Sequence, residues 1–156
     1  MKIRRATVPI LTALAAAVLA SASAEAQSLP PQVRQAIAEH SRTCRPRKVV
    51  LEKGFLTRND VNGDGVPDFV LDYGAFNRGG SFTYFRGSAG CLTQVFASTR
   101  GAFVKVFDST GRRPLMTLKV RPAMVPGLHG SECGKIGAAE CGSTLHWNGE
   151  KFSPAR

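Results

Sequence analysis

The alternation of apolar and polar positions changes character along this chain. Residues 8–20 are apolar apart from Pro9 and Thr12, a run of 13 residues. A helix needs ~20 residues to cross a hydrocarbon layer of ~30 Å. The run is too short to span and suits the apolar centre of a secretory signal peptide. Further on, Val33, Ala36, Ile37 and His40 recur at spacings of three and four. That is the helical period, and it predicts a short helix over 32–40. Pro30 and Pro31 stand at its start, where proline is tolerated. After Pro46 the pattern becomes short apolar runs separated by Gly, Asn and Asp, which reads as strands. Candidates are residues 49–51, 55–57, 68–73, 82–85, 92–97, 103–107, 115–120 and 145–147. Met116, Leu118 and Val120 alternate with Thr117 and Lys119, as in a half-buried strand. Asn148-Gly149 predicts a type I′ turn joining 145–147 to 151–152. Pro122, Pro126, Gly127 and Gly130 read as one long loop. The expected fold is α+β and mostly antiparallel β: a short N-terminal helix packed on a small sheet or sandwich, with disulfides.

The ends of the first apolar run sharpen its meaning. Lys2, Arg4 and Arg5 precede it, and the small residues Ala22, Ala24 and Ala26 follow it. Signal peptidase requires small side chains at −3 and −1, so cleavage after Ala26 or after Ala24 fits. No Cys stands at either point, which argues against a lipoprotein. The alternative is an uncleaved N-terminal anchor. The expected organisation is a signal peptide over 1–26 and a single β-rich domain over 27–156, periplasmic or secreted. No later segment is apolar enough to cross a membrane.

Charge bears on partners. The chain has 21 Lys+Arg against 11 Asp+Glu, a net +10. Three of the positive residues and Glu25 lie in the first 26, so the remainder keeps a net +8. Such an exported protein is drawn to anionic envelope components, such as phospholipid head groups, lipopolysaccharide or acidic glycans, or to a protein partner. Nucleic acid is not expected outside the cytoplasm. The plain alternative is that the charge only aids solubility. The cysteines are Cys44, Cys91, Cys133 and Cys141, an even count that reads as two disulfides in an exported domain. Of three pairings, Cys133–Cys141 is preferred, because Gly134, Gly137 and Gly142 let that segment close on itself. Cys44–Cys91 would then pin the helix end to the sheet.

One motif carries chemistry. Residues 60–68 place Asp60, Asn62, Asp64 and Asp68 at positions 1, 3, 5 and 9. Calcium takes six to eight oxygen ligands, and a tightly wound loop turns alternate side chains inward. Gly65 permits the positive φ of a sharp turn. The Val66 carbonyl can add another oxygen. Three carboxylates this close repel one another, and a cation relieves that. Magnesium or manganese would be the other ions, and a polar turn without metal is the alternative.

The first nine positions match an EF-hand loop, but position 12 is Leu71 instead of the bidentate Glu, and the residues that follow read as strand. The phrase over 60–72, DVNGDGVPDFVLD, resembles instead the DxNxDGxxD loop of FG-GAP and VCBS-type repeats and of integrin-like β-propellers. There too the ninth-position Asp leads into a strand. The resemblance implies calcium bound by Asp60, Asn62, Asp64, the Val66 carbonyl and Asp68. It covers about 15 residues and a single motif, so it does not imply a propeller. The GSAGC turn over 87–91 and the HGSxCG segment over 129–134 are similar to stretches of small exported bacterial proteins, a likeness that carries no activity.

Other constellations are weaker. The 87–91 turn lacks the Gly-Lys-Ser/Thr ending of a phosphate loop. His129, Cys133, Cys141 and His146 could hold zinc, but their spacing fits no common finger and an oxidising compartment favours the disulfide. Ser131 or Cys133 with His129 could form a nucleophile and base, without an evident third group. Phe82, Tyr84, Phe85 and Arg86 could stack on a base or sugar, although strand Phe and Tyr are far more often core, as is Trp147. The expected function is a non-catalytic, calcium-binding accessory or binding module of the cell envelope. The alternatives are a small basic envelope-interaction or inhibitor protein with a purely structural calcium loop, and a hydrolase.

Overall fold

The computed structural model describes residues 29–82, 84–88, 90–117, 122–136 and 141–154. The expected signal peptide, and the 118–120 part of one expected strand, lie outside the described residues. Helix α1 (Pro31–Thr43) starts with proline in its first turn and ends with His40 and Arg42 near its C-terminus. The Arg42 cation complements the negative end of the helix dipole. Its apolar stripe buries Val33 and Ala36. Among the described residues ten strands follow: β1 (Val49–Leu51), β2 (Leu56–Asn59), β3 (Asp68–Asp72), β4 (Phe76–Arg78), β5 (Arg86–Gly87), β6 (Gly90–Thr99), β7 (Ala102–Thr117), β8 (Ala123–Gly127), β9 (Leu145–Trp147) and β10 (Phe152–Pro154). β1 and β4 form a two-stranded ribbon. The main sheet runs β10-β9-β8-β7-β6-β3-β2, with β5 on β6, and its pairings are antiparallel. The mostly antiparallel β expectation is met.

Strand period explains why one sheet serves two cores. Phe69 and Leu71 of β3 and Phe96 of β6 face α1 and the ribbon, where they meet Val33, Cys44, Phe55, Tyr73 and Phe76. Val70, Val95 and Ala97 point to the other face, against Val61, Met124 and Phe152. The 16-residue β7 makes this arrangement: its first half pairs with β6, its second with β8. Gly111 marks the change of partner. A Cβ there would come 2.4 Å from the Gly127 carbonyl oxygen, so only glycine lets the backbones approach.

A polar chain ties helix to sheet. The Tyr73 hydroxyl donates to Gln94 Oε1 at 2.9 Å and lies 3.0 Å from His40 Nδ1. Gln94 Nε2 donates to Asp108, which also binds Lys105. Burial, helped by the charges of Asp108 and Glu39, pushes the Tyr73 phenol well above its ordinary value.

Four expectations change. Cys133 and Cys141 are bonded, but Cys44 and Cys91 are thiols. Strand parity is the reason. Leu92 packs against the core that contains Cys44. Its neighbour Cys91 points to the opposite face, with Thr93 and Val95. Of the expected strand 82–85, the described residues Phe82, Tyr84 and Phe85 are not in a strand; Phe85 packs into the first core while Phe82 and Tyr84 are exposed. The expected loop over 122–130 contains strand β8, Ala123–Gly127. Pro126 falls where the β7–β8 register shifts, a place that does not need its missing N–H. The final hairpin pairs Trp147 with Phe152, so 148–151 form a four-residue connection, with positive φ only at Gly149. Asn148 Oδ1 instead accepts the Glu150 and Lys151 amides.

Candidate metal centre

The antiparallel pair β2–β3 brings Asn59 opposite Asp68, and residues 60–67 connect them as a wound loop. Asp60 holds the entry: Oδ1 accepts from Gly63 N at 2.7 Å and Oδ2 from Gly65 N at 2.9 Å. Asn62 Oδ1 accepts from Asp64 N, and Asp64 Oδ1 from Val66 N. Gly63 and Gly65 have φ of 81° and 83°, which lets the chain wind this tightly. Val61 turns the other way and is buried in the second core, anchoring the loop.

Asp68 is at the base of the loop and fully buried. Its Oδ2 accepts from Val61 N at 2.8 Å and its Oδ1 from Ser98 N at 2.7 Å. Burial raises its pKa above the ordinary carboxylate value; the two amide bonds offset part of this, and the charge of Asp64 adds to it. Asp64 behaves oppositely. The Ser98 hydroxyl, with the Val66 amide and the Asn62 side chain, lowers its pKa against a smaller desolvation.

No local pattern marks Ser98 as a neighbour of the loop. β6 pairs with β3 through Phe96 opposite Phe69, so its end overhangs the loop. Ser98 then donates its hydroxyl to Asp64 and its amide to Asp68, and accepts Asn62 Nδ2 on its carbonyl at 2.7 Å. Only the strand register brings it there, and register across 30 residues is not written in local spacing. Pro122 is a second missed neighbour: a Cβ on Gly63 would meet its Cγ at 2.9 Å.

Asp60, Asn62, Asp64 and Asp68 thus share one loop, with Asn62 Nδ2 3.1 Å from Asp64 Oδ2. Their oxygens are directed at amide and hydroxyl donors. Among the described residues, no group of three or more His, Cys, Asp or Glu side chains is placed to hold a metal ion. Val66 contributes its N–H, and its side chain is exposed.

The remaining candidates divide plainly. Cys133–Cys141 is a disulfide, so these cysteines offer no thiolates for zinc. His129 Nδ1 lies 2.8 Å from Ser131 Oγ and also accepts the Ser131 amide, capping a short 3-10 turn at Gly130–Cys133. No described acidic side chain is bonded to that imidazole, so it has the form of a local cap. Trp147 packs 5.3 Å from Phe152 beneath the last hairpin. Comparison with known proteins finds no matching family model, no matching curated protein and no matching solved structure, so the likeness of residues 60–72 to a calcium loop stands on those residues alone.

Proposed function

We propose that this chain is an exported, non-catalytic module of the cell envelope whose 60–68 loop binds calcium and is shaped by it. The observation that carries the reading is Asp68, a carboxylate buried at the base of a loop with Asp64 near enough to oppose its ionisation. A divalent cation would relieve both the burial and the repulsion. The donors are all oxygen, which suits calcium over zinc. They also have capacity left. An ionised carboxylate offers about four acceptor sites, and Asp60 and Asp68 each use two on amides. When bound, calcium would supply charge neutralisation and a fixed loop shape, held by Asp60, Asn62, Asp64, Asp68 and the Val66 carbonyl. The signal-peptide pattern supports export and the net basic charge supports an anionic envelope partner.

A second reading draws on one observation: each loop carboxylate already has protein donors. In that reading the loop is a set of nested turns that needs no ion, and the module acts through its basic surface alone.

Calorimetric titration of the chelator-treated protein with calcium, alongside thermal melts, separates the two. At free calcium of about 100 times Kd, a site present only in the folded state adds about 2.7 kcal/mol, which raises Tm by roughly 10 °C. Asp60→Asn and Asp64→Asn should abolish most of that rise, measured against each variant's own chelated Tm, since each also loses one acceptor for a loop donor. Equal melting with calcium and chelator, and no heat of binding, would leave the ion-free reading.

A further inference from the structure

We propose that the face made by the C-terminal end of α1 and the β1–β4 ribbon docks on an anionic phospholipid surface. The inference rests on the envelope reading above and names the surface that reading would use; it does not depend on calcium. Two acid-free stretches of chain converge there. Between Glu39 and Glu52 the only charges are Arg42, Arg45, Arg47 and Lys48, all exposed. Between Asp72 and Asp108 the first two charges are Arg78 and Arg86.

The structure clamps these stretches together. Arg78 Nε donates to the Cys44 carbonyl at 3.2 Å, and its guanidinium sits 4.4 Å above the Tyr84 ring. The Tyr84 hydroxyl reaches the Thr43 carbonyl at 3.5 Å. Gly79 N donates to the Lys48 carbonyl at 3.0 Å, and the stem of Arg47 packs beside Gly79. Positive charge from both stretches therefore accumulates on one face, bordered by Glu52, which Asn77 holds. Elsewhere, Arg100 is paired with Glu150 and Lys105 with Asp108.

Charge alone would fit any polyanion. The aromatic side chains narrow the choice: Phe82 and Tyr84, in the same segment, are 41% and 45% exposed. The amphipathic Tyr84 ring is favoured at head-group depth, an apolar ring such as Phe82 suits the acyl boundary beneath it, and each basic residue near an anionic leaflet strengthens adsorption by roughly fivefold. A bilayer interface rewards both features, whereas an acidic glycan rewards the charge.

The test is co-sedimentation of the exported protein with phosphatidylcholine vesicles, with and without phosphatidylglycerol, in chelator and in calcium. We expect binding only to the anionic vesicles, in both buffers, falling steeply with salt. Arg47→Glu with Lys48→Glu should weaken it by on the order of tenfold or more. Phe82→Ser with Tyr84→Ser should weaken it too, and that loss should persist at higher salt. Lys135→Glu with Lys151→Glu, which makes the same charge change elsewhere, should leave it within about twofold. Melting curves confirm that each variant is folded. The proposal is overturned if the anionic vesicles are not bound, if both charge reversals weaken binding equally, or if heparin is bound and the vesicles cannot displace it. Binding in chelator keeps this result separate from calcium: the loop can fail its titration while the vesicles are held, and the reverse.

Discussion

Asp68 satisfies two backbone amides, Val61 N and Ser98 N, that meet at the base of the loop. Removing its carboxylate leaves both donors without their partner, and each such loss costs ~1–3 kcal/mol. Asp68→Ala should therefore destabilise the chelated protein by about 2–4 kcal/mol in urea titration. Ser98→Ala keeps the backbone bonds and loses only the hydroxyl bond to the exposed Asp64, so it should cost ~1 kcal/mol or less. Equal costs would mean that Asp68 is not the staple described. Tyr73 gives a second residue-level expectation. Its phenol titrates above the ordinary value of 10.0 in the fold and near that value once unfolded. Below about pH 10 both states are protonated and nothing changes. As pH rises through that value the unfolded chain releases a proton that the folded chain retains, so stability falls. Tyr73→Phe should flatten this alkaline decline while costing ~1–2 kcal/mol at neutral pH, because Gln94 and His40 lose a partner. An unchanged alkaline limb in urea titrations would contradict it.

At the scale of elements, several short apolar runs are legible locally, the 82–85 run and the Asn148-Gly149 turn mislead, and what depends on pairing is not legible. β1 and β9 coincide with their expected ranges because each is a short apolar run between breakers. The tight winding of the 60–68 loop was legible from its Asp, Asn and Gly residues, whereas the amide and hydroxyl partners of its oxygens were not. β8 was missed because Pro126 and Gly127 look like loop until a register shift accommodates them. The Cys44–Cys91 pairing failed on a parity that only the facing core reveals, since Cys91 and Leu92 point to opposite sides of β6. β7 covers parts of two expected strands, 103–107 and 115–120, and Gly111 between them is what allows one strand to serve both halves. Gly111→Ala therefore tests an element and not a turn. Its Cβ would press on the Gly127 carbonyl, and the β7–β8 separation must widen. We expect a loss of ~2–3 kcal/mol, read in urea titration. A loss confined to the ~0.5 kcal/mol of an ordinary surface change would show that the close approach is unimportant.

For the whole molecule, the arrangement of two cores on one sheet decides how it unfolds. Leu71 and Val70 are neighbours in β3, yet the first belongs to the helix-side core and the second to the core shared with Met124 and Phe152. Loss of either core exposes one face of the same strands, so neither face can melt while the other keeps its full packing. This predicts a single cooperative transition. The chain supplies two independent reporters. Trp147 is its only tryptophan and packs against Phe152 in the second core, while α1 covers the first. Tryptophan fluorescence and far-ultraviolet circular dichroism should therefore give coincident urea curves. Leu71→Ala and Met124→Ala, one from each core, should shift both curves together, each by ~2–5 kcal/mol. If Met124→Ala moved the fluorescence transition and left the helix signal in place, the β8–β10 half would be an independent unit. The 60–68 loop, which touches β6 through Ser98 and lies beside Pro122 at the start of β8, would then span a boundary between two units. In the cooperative case, an ion bound there stabilises both halves at once, because Val61 ties the loop into one core and Asp68 begins the strand that carries the other.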